Sequence, residues 1–233
     1  MADISVGGYV PMTSIDFPGH LSAVVFTRGC PLACSYCHND HLRSPKVKIS
    51  NYSWTGVYKH LLKRIDLLDA VVFSGGEPTA QKHLKDAILE CKELGYKIGL
   101  HSSGIYPNRL AEIIDLIDWV GFDIKAPFED YESITSVKYS GQKAMQSLKL
   151  LLDNSVNIEC RTTFHPSILS NEQLFVIAKS LAGLGVNNYK IQNFRSTGCM
   201  DKKLCLEHPF KPIDNKIINE IAAFFKEFHY DAC

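Results

Sequence analysis

SAVVFTRGCPLACSYCHN, residues 22–39, is the stretch that decides how this 233-residue chain is read. Its first six residues, Ser22–Thr27, are small, β-branched or aromatic, the composition of a strand buried on both faces. Its second part places Cys30, Cys34 and Cys37 at C-x3-C-x2-C spacing. A buried strand that runs straight into soft ligands reads as one strand of a parallel sheet with chemistry at its C-terminal end.

The pattern recurs along the chain. Further strands are predicted at Ala70–Phe73, Tyr96–His101, Trp119–Ile124, Val156–Thr162 and Asn188–Gln192, all rich in Val, Ile, Phe or Tyr. Between them lie stripes of helical period: Val57, Leu61 and Ile65; Leu84, Ala87, Ile88, Cys91 and Leu94, closed by Gly95; Leu110, Ile113, Ile114 and Ile117 after Pro107; and Ala144, Met145, Leu148, Leu151 and Leu152. Asn171 is placed to cap a helix carrying Leu174, Ile177, Ala178 and Leu181, and the last stripe runs Ile217, Ile218, Ile221, Phe224, Phe225 and Phe228. Alternating strands and helices imply parallel pairing with right-handed crossovers, as a doubly wound sheet or a partial barrel. All six strand ends carry distinctive residues: the cysteine loop, SGGEPT, HSSG, DIK, RTTFH and QNFR.

Composition narrows the classes. Lys plus Arg equals Asp plus Glu at 25 each, so no bulk charge favours nucleic acid or an anionic membrane. No apolar run approaches the roughly 18 residues of a membrane span. MADISVGGYV has neither a basic nor an apolar signal region, so a cytoplasmic location is expected. In a reducing compartment the eight cysteines are not expected to pair as disulfides. Thiolates at this spacing suit an iron–sulfur cluster with three protein ligands and one open iron; structural zinc fits poorly, because its second pair would have to be Cys199 and Cys205 at C-x5-C. Cys91 and Cys160 read as core, and Cys199, Cys205 and Cys233 as free thiols.

C-x3-C-x2-C directly after a first strand, followed by GGEP and DIK, resembles the radical S-adenosylmethionine (SAM) superfamily. Within it, Gly7–Asn39 (GGYVPMTSIDFPGHLSAVVFTRGCPLACSYCHN) is similar to the activating proteins of anaerobic ribonucleoside-triphosphate reductase, with pyruvate formate-lyase activating enzymes as near relatives. The resemblance implies an α/β fold, a partial (β/α)6 TIM-like barrel with a parallel sheet, formed by residues 1–233 as a single radical SAM domain. It implies a [4Fe–4S] cluster on Cys30, Cys34 and Cys37. SAM would bind the open iron and be cleaved reductively to a 5′-deoxyadenosyl radical. That radical would take a hydrogen from a glycine Cα of a glycyl-radical enzyme, with flavodoxin or a similar protein as electron donor. Hydrogen-atom transfer needs no general base, so no catalytic side chain is assigned.

The same resemblance distributes SAM among the other strand ends. Gly75, Gly76 and Glu77 would hold the methionine amino group; alone, GGEP reads equally as a turn opening a helix. Asp123 and Lys125 point to one side of their strand and would lie near the SAM carboxylate and ribose, or form an interior ion pair. HSSG stands where the formate-lyase type shows D-T-N-G, so the resemblance does not carry over a cation site built on that Asp; Ser103 and Gly104 would contact ribose or the methionine tail, or else form a polar turn with Gly104 at positive φ. Arg161 either clamps the SAM carboxylate or is a surface arginine, His165 is either a ligand contact or a helix-start residue, and the backbone at Gln192 and Phe194 would lie along adenine. Tyr36 would face adenine or cover the cluster, unless it simply packs. Two other readings stay open: a small-molecule radical SAM enzyme such as a 7-carboxy-7-deazaguanine synthase, and a zinc-binding or electron-transfer module.

Overall fold

The computed structural model describes residues 1–45, 51–207 and 213–232. Its strands are β1 (Val6–Thr13), β2 (Ser22–Thr27), β3 (Ala70–Gly75), β4 (Lys97–Ser102), β5 (Trp119–Asp123), β6 (Asn157–Phe164), β7 (Asn188–Asn193) and β8 (Glu227–Asp231). The helices are α1 (Trp54–Leu62), α2 (Leu84–Glu93), α3 (Pro107–Ala111), α4 (Tyr131–Thr135), α5 (Ser140–Asp153), α6 (Asn171–Gly183), α7 (Lys202–Leu206) and α8 (Asn215–Ala222). The chain forms two compact units. One comprises Met1–Pro31, His41–Ser102 and Tyr106–Gly121, the other Leu32–Asp40, Ser103–Ile105 and the residues from Phe122 onward.

In the first unit β1 is antiparallel to β2, and β2, β3 and β4 run parallel. β2 and β3 are buried along almost their whole length, which is why their sequences are continuous apolar runs rather than alternating ones. Phe17, Val24, Ala70, Val72 and Trp119 make a core cluster, with the Phe17 and Trp119 rings stacked at 5.3 Å. α2 buries Leu84, Ala87, Ile88 and Cys91, and ends before Gly95, whose φ of +88° admits the left-handed exit. The Asp118 carboxylate accepts from the Ile98 amide at 2.7 Å and from Lys92 Nζ at 3.1 Å, anchoring the start of β4. The β2–β3 register pairs Thr27 with Gly75, which sets the end of β2 beside the Gly-Gly-Glu turn.

In the second unit β6, β7 and β8 are parallel. α5 buries Ala144, Leu148 and Leu151, each leucine contributing roughly 1.5–3 kcal/mol by leaving water. α6 starts with a reciprocal capping box between Ser170 and Gln173. Buried Tyr189 packs against Phe225 and Phe228, with centroids 4.9 and 6.0 Å away, and donates its hydroxyl to Thr162 Oγ1 at 2.9 Å.

The fold class is α/β with a mostly parallel sheet, and each of the six anticipated strands is present. Several local expectations are corrected. β1 and β8 were not anticipated, and β1 is antiparallel. The stripe from Ile217 to Phe228 is helical only as far as Ala222; Phe224 and Phe225 lie in a turn and Phe228 in β8, where the rings pack without helical backbone. α1 stops at Leu62, leaving Ile65 exposed. The stripe after Pro107 divides into short α3 and a 3-10 turn at Ile114–Leu116. Ser170, not Asn171, caps α6, because its hydroxyl reaches the Gln173 amide. Among the described residues no helix is long and apolar enough to cross a membrane. Cys233 lies outside the described residues.

Candidate functional site

Cys30, Gly75, Gly76 and Glu77 belong to the first unit. The Cys30 amide donates to the Arg43 carbonyl at 3.0 Å, and the preceding Gly29 amide donates to Leu42 at 2.8 Å. The Gly-Gly-Glu turn is laced onto the backbone just before Cys30: Gly76 N–H donates to Thr27 O and Glu77 N–H to Gly29 O, both at 2.9 Å. Gly75 has φ +109°, and a Cβ there would lie 2.5 Å from the Thr27 amide nitrogen and carbonyl oxygen. A Cβ on Gly76 would lie 2.5 Å from Gly29 O. Both glycines are therefore required by a neighbouring strand end, before any ligand is considered.

Glu77 is 1% exposed, and Oε1 accepts from Thr79 N at 3.2 Å, Thr79 Oγ1 at 2.6 Å and Ser102 Oγ at 2.8 Å. Those bonds satisfy a buried charge and cap the turn that Pro78 opens. His101, standing where the related pattern has Asp, is tied into the same unit. Nε2 lies 3.1 Å from the Asp16 carbonyl, so it carries the proton, and Nδ1 then accepts from Ser74 Oγ at 3.2 Å.

The second unit holds Cys34, Tyr36, Cys37 and the other candidates. A turn is closed by Cys37 N–H to Cys34 O at 3.2 Å, and Ala33 N–H reaches Thr135 O at 2.9 Å. Asp123 ends β5 and Lys125 lies two residues past it; Asp123 Oδ2 and Lys125 Nζ are 2.8 Å apart, on one side as expected, and the ammonium stands 5.8 Å from the centre of the Tyr36 ring. Tyr131 fixes the pair's backbone, accepting from Lys125 N–H at 3.1 Å. Burial alone would favour a neutral amine at Lys125; Asp123, with Tyr36 and Cys34, outweighs it and holds Lys125 charged well above the usual lysine range. Burial pushes the Cys34 thiol up, opposed by Lys125. Tyr36 is buried, its hydroxyl has no hydrogen-bond partner, and burial raises its pKa.

Phe194 is sandwiched between His38, stacked at 5.6 Å, and His165, edge-on at 5.2 Å. His165 is fully buried, and its Nδ1 accepts from Ser167 N–H at 3.1 Å, the geometry of a turn-forming residue. Arg161 Nε donates to Glu159 at 2.6 Å. Gln192 donates to Thr163 Oγ1 at 3.1 Å. Ser103 is buried next to Gly104, whose φ is +69° and whose carbonyl accepts from Ser147 Oγ at 2.6 Å. Cys91 and Cys160 are fully buried. Tyr131, Thr79 and His38 were not singled out in the sequence; only their nearness to DIK, GGEP and the last cysteine marked them.

The donor set fits an iron–sulfur cluster chemically: Cys30, Cys34 and Cys37 lie on one short loop, and none is in a disulfide. Among the described residues no three His, Cys, Asp or Glu side chains stand at metal-holding geometry. The cluster assignment therefore rests on ligand type and spacing.

Comparison with known proteins extends the picture. Residues 24–174 match the family model of the radical SAM superfamily. The chain is 34% identical over 215 residues, 85% of it and 83% of the relative, to a protein of Methanocaldococcus jannaschii named as a glycyl-radical enzyme activating enzyme. It is 28% identical over 218 residues, 82% of it and 90% of the relative, to the pyruvate formate-lyase-activating enzyme of Clostridium pasteurianum. Streptococcus suis SuiB, solved with S-adenosylmethionine bound, shares the fold at a TM-score of 0.66 and 14% identity, over 88% of this chain and 48% of that one. The radical SAM family uses a [4Fe–4S] cluster and S-adenosylmethionine. With its cysteine triplet, its parallel α/β strand order and a family match over most of its length, the chain belongs to the radical SAM superfamily.

Proposed function

We propose that this enzyme is a glycyl-radical enzyme activase whose substrate is anaerobic ribonucleoside-triphosphate reductase. Cys30, Cys34 and Cys37 would hold the cluster. With a reducing partner such as flavodoxin, a bound cluster and SAM would supply the radical chemistry needed to take a hydrogen from a glycine Cα. The chain's own residues bind, orient and exclude water. Gly75, Gly76 and Glu77 present backbone carbonyls to the methionine ammonium, with the Glu77 carboxylate holding the turn in shape through Thr79 and Ser102. Lys125, kept charged by Asp123, offers a cation to the methionine carboxylate, with Arg161 as a further cation and Tyr36 and Ser103 beside the nucleoside. The backbone at Gln192 and Phe194 would lie along adenine, while buried His165 forms the turn that backs Phe194.

The observation that carries this reading is the similarity to an activating enzyme across more than four-fifths of both chains. The GGYVPMTSIDFPG and TRGCPLACSYCHN wording supports the reductase branch. The test is anaerobic reconstitution, reduction with dithionite and addition of SAM, then incubation with a candidate reductase. Formation of 5′-deoxyadenosine and of a glycyl-radical electron paramagnetic resonance doublet on the reductase is expected, and both should vanish in the triple Cys→Ala variant. Turnover of a pterin-like substrate with no glycyl radical would select the deazaguanine-synthase reading. Colourless protein carrying one zinc would select the binding module.

A further inference from the structure

After Phe194 the second unit continues through a segment, 196–205, that the cofactor reading leaves without a task. It touches the cysteine loop at two carbonyls. Gly198, with φ +82°, lies so close to His38 O that a Cβ would collide with it. The Cys199 thiol donates to the Ser35 carbonyl at 3.5 Å, and Ser35 sits between Cys34 and Cys37. Asp201 caps α7 by accepting from Lys203 N–H at 2.9 Å and Leu204 N–H at 3.2 Å, which turns the chain back on itself. Cys205 thereby returns to the backbone of Cys199: its Sγ is 3.7 Å from the carbonyls of both Ser196 and Cys199. Both are partly exposed and neither is in a disulfide. Two partly exposed thiols on one short fold-back, one reaching the carbonyl of its partner residue and the other the loop of a proposed redox centre, are more than packing requires.

We propose that Cys199 and Cys205 are a redox-active dithiol that exchanges with a low-molecular-weight disulfide of the glutathione class, and that oxidation releases the segment's hydrogen bond to the cysteine loop. One thiolate attacks the external disulfide, forming a mixed disulfide and expelling one small thiol. The second thiolate then displaces the other small thiol and closes the Cys199–Cys205 bond. The two protein thiols are oxidised, the external disulfide is reduced to two thiols, and the two protein protons end on those thiols. The S–H that Cys199 donates to Ser35 is one of the two consumed, so that bond cannot survive oxidation. The effect on a cluster rests on the reading of Cys34 and Cys37 as ligands; the disulfide itself does not.

The experiment uses the full chain, reconstituted without oxygen, equilibrated with oxidised and then with reduced glutathione, quenched in acid, alkylated and mapped by peptide mass. The peptide alkylated at both Cys199 and Cys205 should fall about tenfold or more under oxidation, be replaced by a linked form two hydrogens lighter, and return under reduction. Amide exchange across residues 32–40 should quicken in the oxidised form. Cys205→Ser should abolish both changes, and Cys233→Ser neither. The proposal fails if both thiols stay alkylatable, or if the link forms instead among Cys30, Cys34 and Cys37. A Cys199–Cys205 link with unchanged exchange over residues 32–40 overturns the coupling to the loop. Iron measured in the same sample reports on the ligand reading separately, since the link can form in protein that holds none.

Discussion

Replacing Gly76 with alanine should destabilise the chain even when no cofactor is present. The added methyl would stand 2.5 Å from the Gly29 carbonyl oxygen and 2.9 Å from its carbon, and both are backbone atoms that cannot swing away. Relief requires the turn to move off the end of β2. That stretches the bonds from Gly76 N–H to Thr27 O and from Glu77 N–H to Gly29 O, both 2.9 Å. Overpacking of this kind costs about 1–3 kcal/mol, and each weakened bond adds up to about 1 kcal/mol. A loss of about 2–4 kcal/mol follows, or about 5–15 °C in melting temperature for a chain of this size. The assay is thermal unfolding of the apoprotein by circular dichroism in reducing buffer. Gly183→Ala is the control: nothing lies within 4 Å of its Cβ position, and it should be neutral or slightly stabilising. A Gly76→Ala melt within about 1 °C of wild type would refute the argument. So would lost SAM affinity with unchanged melting, which would mean that the glycine serves the ligand alone.

Asp123→Asn should lower stability by about 1–2 kcal/mol in urea titrations. It leaves Lys125, 14% exposed, facing a neutral amide, and the 38% exposure of Asp123 reduces the penalty below that of a fully buried pair. Because Lys125 titrates higher in the folded chain, its stabilising effect is full at neutral pH and is lost as pH rises through that raised value, so the gap between variant and wild type should close in strong alkali. His60 is pulled below the ordinary histidine range by burial and then by Arg64 and Lys63, and its Nε2 is buried without a hydrogen-bond partner. A lowered value means stability that is present above about pH 6.5 and lost as pH falls through the folded value. His60→Phe should therefore flatten the acid side of the melting-temperature profile; parallel profiles would refute this. Cys91 and Cys160, fully buried and with thiols raised by burial, should resist iodoacetamide in native protein and react only on unfolding. Mass mapping after a short native pulse checks this.

β2 and β3 were legible because they are buried along almost their whole length: SAVVFT and AVVF read as continuous buried runs. The outlying strands were not. β1 contains two glycines and Pro11 and shifts register between Val6 and Gly8 and between Val10 and Thr13, so its alternation is broken. β8 is the short, mostly polar stretch EFHYD, and Phe228 continued a helical spacing by coincidence. At the site, the spacing of Asp123 and Lys125 foretold a same-side pair, and the ion pair forms although β5 itself ends at Asp123. That Tyr36 stands beside this ammonium depends on contacts distant in sequence.

The sequence by itself determined the fold class and supplied the reading of the thiolate ligands, because thiolate spacing and strand burial are local properties written in neighbouring residues. Only the tertiary structure decided what Gly75, Gly76, Glu77 and His101 do within the protein. The glycines admit the Thr27–Gly29 backbone, Glu77 is held by Thr79 and Ser102, and His101 bridges Ser74 and Asp16. Most of those partners lie on other segments of the chain, and a close approach or a buried hydrogen bond exists only once folding brings the segments together.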